Sequence, residues 1–367
     1  MVTERTYAID PSVEESLDAG LTLPASWYSD PAIHALERER IFARSWQYAA
    51  RTEQLTEPGS YVATRAGHLP VVVVRHQDGD LRGFVNVCRH RGHLVAQGEG
   101  RRETLQCPYH AWTYGLDGCL RVAPRSEREP EFDAERYSLL PVAVDVWGPF
   151  VFVNPDPDAG PLVDALGRLP EHLLASGIDF DRLRFRERVE WAPSSVNWKV
   201  GIENYLECYH CPVAHPSFSK LIDVDPDAYL LESDGLLSSQ FGPVRLGNGK
   251  RPYDPDGPVE RAQYHFLWPN LTINIEPGPP NLSFDVWYPA GAHDLLGHTD
   301  YFFGEDVPEE TVSELMAFGA QVGAEDAALV ESVQAGLDSG AIPFGRLLPS
   351  SEHLIQHFQR LVYRALQ

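Results

Sequence analysis

Two short blocks, Cys88-Arg89-His90 and Cys107-Pro108-Tyr109-His110, constrain this chain more than any other stretch. Each holds a thiol and an imidazole with one or two residues between them, and sixteen residues separate His90 from Cys107. Such pairs at the tips of two facing loops can wrap a small metal centre. A Cys₂His₂ set suits a structural zinc site. It also suits a two-iron cluster in which two His replace two Cys on one iron, an exchange that raises the potential. Each block supplies one ligand of each kind, so one iron can take both Cys and the other both His. Zinc fingers pair Cys with Cys and His with His. Both blocks here lie among strand-like segments with no recognition helix after them, which favours iron and sulfur.

The chain has 367 residues, enough for two cores at ~150 residues per domain. A net charge of −23 argues against nucleic acid or an anionic membrane surface as partner. No apolar run approaches the ~20 residues of a spanning helix. The polar stretch from Met1 to Pro11 lacks the apolar core of a signal peptide, so a soluble, cytoplasmic protein is expected. Of five Cys, two belong to the opening blocks, and no disulfide is expected. Cys119 reads as a small buried residue, and so do Cys208 and Cys211, whose Cys-x-x-Cys spacing leaves a redox pair or thiolate ligand as the alternative. Charge is unevenly spread: Leu81 to Arg128 holds eight Arg against four acids, and the remainder carries −27. Arg82, Arg89, Arg91, Arg101, Arg102, Arg121, Arg125 and Arg128 form a patch suited to an acidic redox partner.

In chain order, Asp30-Pro31 opens a helix over Ala32–Ala43, with Ile33, Leu36, Ile41 and Phe42 inward. Tyr61–Arg65, Val71–His76 and Leu81–Val87 read as strands between turn signals, and Val142–Val153 as an apolar β segment. The Pro/Asp/Gly stretch from Asn154 to Pro161 marks a boundary. The expected organisation is an N-terminal helical segment (1–39), a β-rich domain (40–155) and a second domain (156–367). In the second, Arg182–Trp191, Gln263–Pro269, Leu271–Glu276, Leu282–Tyr288 and His298–Phe303 read as antiparallel strands. Pro170–Ser176, Asn197–Cys211, Pro308–Leu337 and a last segment capped by Ser350 or Ser351 read as helices, and Asp223–Pro258 as loops. The fold class is α+β.

A second constellation lies in Asn197–Cys211. Asn204, Glu207 and His210 are spaced by three and share one helix face. His215 lies five residues beyond His210, and Pro212 breaks the helix so that it swings back. Two His with one carboxylate is the ligand set of non-haem Fe(II) oxygenases, with positions left open for O₂ and substrate.

Cys88-Arg89-His90-Arg91-Gly92 with Cys107-Pro108-Tyr109-His110-Ala111-Trp112 resembles the Rieske motif of ring-hydroxylating oxygenase large (alpha) subunits. Tyr205-Leu206-Glu207-Cys208-Tyr209-His210-Cys211-Pro212 resembles their mononuclear-iron segment, and Glu325-Asp326-Ala327-Ala328-Leu329 their carboxylate-ligand segment. The resemblance implies an all-β Rieske domain and a helix-grip catalytic domain. It assigns Cys88, His90, Cys107 and His110 to a [2Fe-2S] cluster, Trp112 to shielding it, and His210, His215 and Asp326 to mononuclear Fe(II). Asn204 would line the iron pocket. Glu207, where many members carry Asp, would bridge electron transfer between subunits of a head-to-tail homotrimer. Electrons would come from NAD(P)H through a separate reductase of flavin or ferredoxin type. The Glu-Cys-Tyr-His-Cys run looks most like members acting on betaine, carnitine or choline. The expected reaction is O₂-dependent N-demethylation or monooxygenation of such a quaternary ammonium, with Trp268, Phe284, Trp287, Tyr288 and Tyr301 available as aromatic walls. Aromatic ring dihydroxylation is the alternative, and a Rieske electron carrier a remote one.

Overall fold

The computed structural model describes residues 9–246 and 251–367. The chain forms two compact units, one of Phe42–Asp164 and one of Ala165–Gln367 with the residues up to Ile41. Helices α1 (Ser12–Asp18) and α2 (Pro31–Glu37) belong to the larger unit. Asp30 caps α2 by accepting from the Ala32 N–H at 2.8 Å, as its sequence predicts. The helix is shorter than expected, ending in a π-turn over Arg38–Phe42. Ile33, Ile41 and Phe42 are buried, but Glu37 lies inward where Leu36 was expected to. The reason is an ion pair: Lys199 Nζ and Glu37 meet at 2.5 Å, both side chains fully buried, and Trp198 Nε1 donates to the other Glu37 oxygen at 2.9 Å.

The smaller unit contains ten strands: β1 (Gln47–Arg51), β2 (Ser60–Ala66), β3 (Leu69–Arg75), β4 (Leu81–Val85), β5 (Glu99–Arg101), β6 (Leu105–Gln106), β7 (Thr113–Tyr114), β8 (Leu120–Val122), β9 (Pro141–Trp147) and β10 (Phe150–Asn154). One sheet has the order β1-β10-β9-β4-β3-β2-β5, and a smaller one β6-β7-β8. The apolar run at 142–153 is a hairpin, because Gly148 at φ +55° turns the chain between Trp147 and Phe150. The stretch after Asn154, expected to open the second domain, stays with this unit. Trp46 Nε1 donates to Gly160 O at 2.9 Å, and the Leu162 N–H to Asp145.

Past α3 (Leu162–Leu166) and α4 (Leu169–Ala175), the larger unit is built on strands β11 (Leu183–Glu190), β12 (Leu230–Asp234), β13 (Leu237–Pro243), β14 (Arg261–Leu267), β15 (Leu271–Ile275), β16 (Asn281–Pro289) and β17 (Leu295–Gly304). They form one antiparallel sheet, β11-β17-β16-β15-β14-β13-β12. The hairpin of β12 and β13 corrects the loop reading of 223–258: Gly235 at φ +57° supplies the turn that composition disguised. Of that stretch, residues 247–250 lie outside the described residues. Helices α5 (Trp198–Tyr205), α6 (Cys211–Ala214), α7 (Phe218–Leu221), α8 (Glu309–Asp338) and α9 (Pro349–Leu366) complete the unit. Helix α9 is capped at Leu348, whose N–H donates to Glu352 at 2.6 Å, not by either Ser. Among the described residues no helix is long and apolar enough to cross a membrane.

Candidate metal centres

In the smaller unit the two Cys/His blocks repeat one geometry. Cys88 N–H donates to His93 O and Cys107 N–H to Trp112 O, both at 2.8 Å. Each turn passes through the left-handed region one residue before it closes, at Gly92 (φ +77°) and Ala111 (φ +57°). An alanine there is uncommon and marks a backbone held by its surroundings. Cys88 and Cys107 are buried, 2% exposed each, while His90 and His110 stand exposed with ring centroids 4.6 Å apart. Burial raises the Cys107 thiol, and the N–H groups of Tyr109 and His110, aimed at the sulfur, work in the opposite direction. Tyr114 Oη lies 3.3 Å from Cys88 Sγ. Trp112 stacks on His90 at 5.0 Å, its own edge packed by Phe132 and Tyr137. Two buried thiols, Cys107 with N–H···S donors and Cys88 against the Tyr114 hydroxyl, beneath two exposed imidazoles, fit a cluster with one Cys-held and one His-held iron.

In the larger unit, Asn197 caps α5 through the Lys199 N–H, and the helix stops at Tyr205, five residues before His210. Asn204, Glu207 and His210 therefore do not share a helix face, as the spacing suggested. Glu207 sits in the following turn. Its carboxylate accepts from the N–H groups of Tyr209 and His210, taking the place of helical bonds. Pro212 begins α6 instead of ending α5. The same turn brings Cys208 and Cys211 to a Cα separation of 5.0 Å, and they form a disulfide, contrary to expectation. Cys119, also expected to be buried, is exposed.

His215 is brought back by the turn of α6. Its Nε2 lies 3.0 Å from both His210 Nε2 and Asp326 Oδ1, and His210 Nε2 lies 3.5 Å from Asp326. Asp326 comes from the middle of α8. Each His has its other ring nitrogen on a carboxylate: His210 Nδ1 on Glu207, and His215 Nδ1 on Glu325 at 2.7 Å. Asn204 Nδ2 donates to Asp326 Oδ1 at 2.7 Å. Burial opposes the charged form of His210, yet bonds to Asp326 and Glu207 outweigh it and raise the imidazole to about 9. Burial likewise disfavours Asp326 as an anion, but bonds from His210, His215 and Asn204 hold its carboxyl well below the usual range. Three carboxylates thus surround two imidazoles whose Nε2 atoms converge on one oxygen. Three ligand atoms within 4.8 Å of one another, each His backed by an acid, fit a dication.

Sequence reasoning did not foresee Glu325 as a partner of His215. It also placed the aromatic wall elsewhere. Trp268 packs on Trp198 and Phe358, Phe284 on Phe302, and Tyr288 on His298. Trp287 lies against Gly201 of α5. Tyr301 alone of the five packs on the apolar cluster beside the His pair, whose buried rings are Phe218, Tyr229, Tyr253, Tyr264, Phe303 and Phe318. Phe218 lies 6.4 Å from His215, ring to ring. The three-residue step from His215 to Phe218 was the available sequence signal.

A Rieske-type unit and a unit with a two-His, one-carboxylate centre, in one chain, define the two-centre non-haem iron oxygenases. Residues 180–367 match the ring hydroxylating alpha subunit (catalytic domain) family, and residues 45–140 match the Rieske [2Fe-2S] domain. The chain belongs to the ring-hydroxylating oxygenase alpha subunits; its cofactors are a Rieske [2Fe-2S] cluster and a mononuclear iron. It is 34% identical over 356 residues to the carnitine monooxygenase oxygenase subunit of Acinetobacter pittii (strain PHEA-2), covering 94% of this chain and 95% of that one. It is 32% identical to the chloroplastic choline monooxygenase of Spinacia oleracea, covering 94% and 78%. Its structure is similar to that of the quaternary ammonium Rieske monooxygenase CntA in complex with L-carnitine (TM-score 0.82, 31% identity, 98% and 99% covered). Naphthalene 1,2-dioxygenase from Rhodococcus, at 22% identity and TM-score 0.78, shares the fold.

Proposed function

We propose that this chain is the oxygenase component of a multicomponent monooxygenase that hydroxylates a small quaternary ammonium compound next to its nitrogen. The observation that carries the reading is the convergence of His210, His215 and Asp326, each His backed by a carboxylate. When bound, the iron centres supply O₂ activation and one-electron transfer, chemistry no side chain here provides. The balance is C–H plus O₂, two electrons and two protons giving C–OH and water. A hydroxyl on the carbon beside N⁺ then collapses to an aldehyde and a tertiary amine. The electrons come from NAD(P)H through a separate reductase of flavin or ferredoxin type.

Within this reading Cys88, His90, Cys107 and His110 hold the cluster, and Trp112 covers His90. His210, His215 and Asp326 hold the mononuclear iron, while Asn204 fixes the Asp326 carboxylate. Glu207 links His210 to a cluster His of the neighbouring subunit in a cytoplasmic homotrimer. The carnitine and choline monooxygenases support the ammonium substrate by their similarity over the greater part of this chain. Metal analysis of the purified protein should give about three irons per chain; a pure electron carrier would hold about two. With a surrogate reductase, choline or carnitine should stimulate O₂ and NADH consumption and release a tertiary amine. Stimulation only by naphthalene-like rings, with a cis-diol product, would establish ring hydroxylation instead.

A further inference from the structure

The larger unit holds a carboxylate that neither metal centre uses. Glu276, just past β15, continues the face of that strand that carries Thr272 and Asn274. Tyr264 Oη stands 3.0 Å from both its oxygens, and Tyr253 Oη 3.4 Å from one. These rings lead to the iron ligands: Tyr264 lies 5.7 Å from Phe218, which meets His215. Phe318 stacks parallel to Phe218 at 6.2 Å and meets Tyr253 at 5.4 Å. Glu276 is partly buried by accessible surface and densely surrounded by protein atoms.

Among the described residues no Arg, Lys or His contacts Glu276. Burial without a counter-charge pushes its carboxyl up to about 7, against the Tyr264 and Tyr253 bonds. Asp285 lies on the same sheet face, in β16. It accepts from Thr299 at 2.6 Å and Asn274 at 2.7 Å, and it too meets no cation among the described residues. Buried carboxylates are ordinarily paired with a cation or a metal. Here an acid among tyrosines, two rings beyond the iron ligand His215, lacks that partner, and an acid near aromatic rings is a combination that receives an ammonium ion.

We propose that Glu276 sets the charge of the substrate: it is the counter-ion for a small ammonium cation held against the Phe218, Tyr253 and Tyr264 rings, and it rejects molecules that carry their own carboxylate. The proposal rests on the ammonium reading above and narrows it. A zwitterion such as carnitine would bring its carboxylate towards Glu276 and Asp285, with no described cationic side chain against either to receive it. A choline-type cation meets only complementary charge.

Calorimetric titration of the iron-loaded enzyme tests this with three probes: choline, its uncharged carbon isostere bearing tert-butyl in place of trimethylammonium, and L-carnitine. Choline should bind at least about tenfold tighter than either of the others. Glu276→Gln should remove that advantage while the isostere's affinity and the iron content stay unchanged, and Glu276→Asp should retain part of it. Carnitine binding as tightly as choline, or an undiminished choline preference in Glu276→Gln, would overturn charge selection and leave the ammonium reading standing. If the wild-type enzyme binds neither cation but binds naphthalene, the ammonium reading itself falls. Should Glu276→Gln fail to fold, the wild-type comparison and Glu276→Asp decide the matter.

Discussion

Glu207 has two tasks, divided between its two oxygens over three contacts. It closes the turn after α5 by accepting from the Tyr209 and His210 N–H groups, and it holds His210 Nδ1. A glutamine keeps an acceptor oxygen for the turn but loses the charge. Glu207→Gln should therefore retain both metal centres at saturating iron, and the reductase should still reduce its cluster. Turnover should fall at least about 100-fold if Glu207 bridges the electron path, since a carboxylate behind a metal-binding His is by itself worth about 10–100-fold. Normal single-turnover product formation in the variant would remove the bridging role. At this scale, His210 and His215 were legible because they lie within five residues of each other on either side of a proline. Asp326 was legible only through resemblance. It lies 111 residues from His215, and nothing in a helix-borne Glu-Asp pair distinguishes a ligand from a solvated acid. The partnership of Glu325 with His215 was not legible for the same reason.

At the scale of elements, strands were read more accurately than helix ends. Alternation and β-branching mark a strand along its whole length, whereas a helix end is decided by a few local bonds. The three-residue spacing from Asn204 to His210 argued for a continuous helix. The Glu207 carboxylate and the Cys208–Cys211 bridge stabilise a turn there instead. The inward face of α2 was misread because an acid at the core is improbable until its partner, 162 residues away, is known. That pair joins α2 to α5, the helix that leads into the iron site. Removing one partner of a fully buried pair leaves an uncompensated charge, so Glu37→Gln should cost about 3–5 kcal/mol. Differential scanning calorimetry should show a lower melting temperature for the larger unit. A change of less than a degree would mean that the bond Lys199 already donates to Trp27 O, at 3.0 Å, suffices to hold its ammonium there.

Across the whole molecule the excess of acid is interrupted by the Arg patch of the smaller unit. The patch is less uniform than its sequence suggests. Arg82 pairs with Asp78, Arg101 with Glu57 and Arg121 with Asp117, so these three are largely neutralised. Arg91 and Arg102 lie over the rings of Tyr109 and Tyr61, and among the described residues no acid pairs with them or with Arg125 or Arg128. Tyr109 follows Cys107 by two residues, so Arg91 sits beside the cluster loops. If these unpaired cations receive an acidic reductase, association should be steered by long-range attraction and weakened by salt, with a screening length of about 8 Å at physiological ionic strength. Stopped-flow absorbance of the cluster should show its reduction slowing steeply as salt rises. Reversing two charges remote from the ligands, Arg102→Glu with Arg128→Glu, should lower the rate at low salt by at least about tenfold and flatten the salt dependence, leaving the rate at high salt nearly unchanged. The paired Arg101→Glu should do much less, because Glu57 already offsets its charge. Equal effects from Arg101→Glu and the double variant would mean that net charge alone, and not this set of unpaired arginines, governs docking.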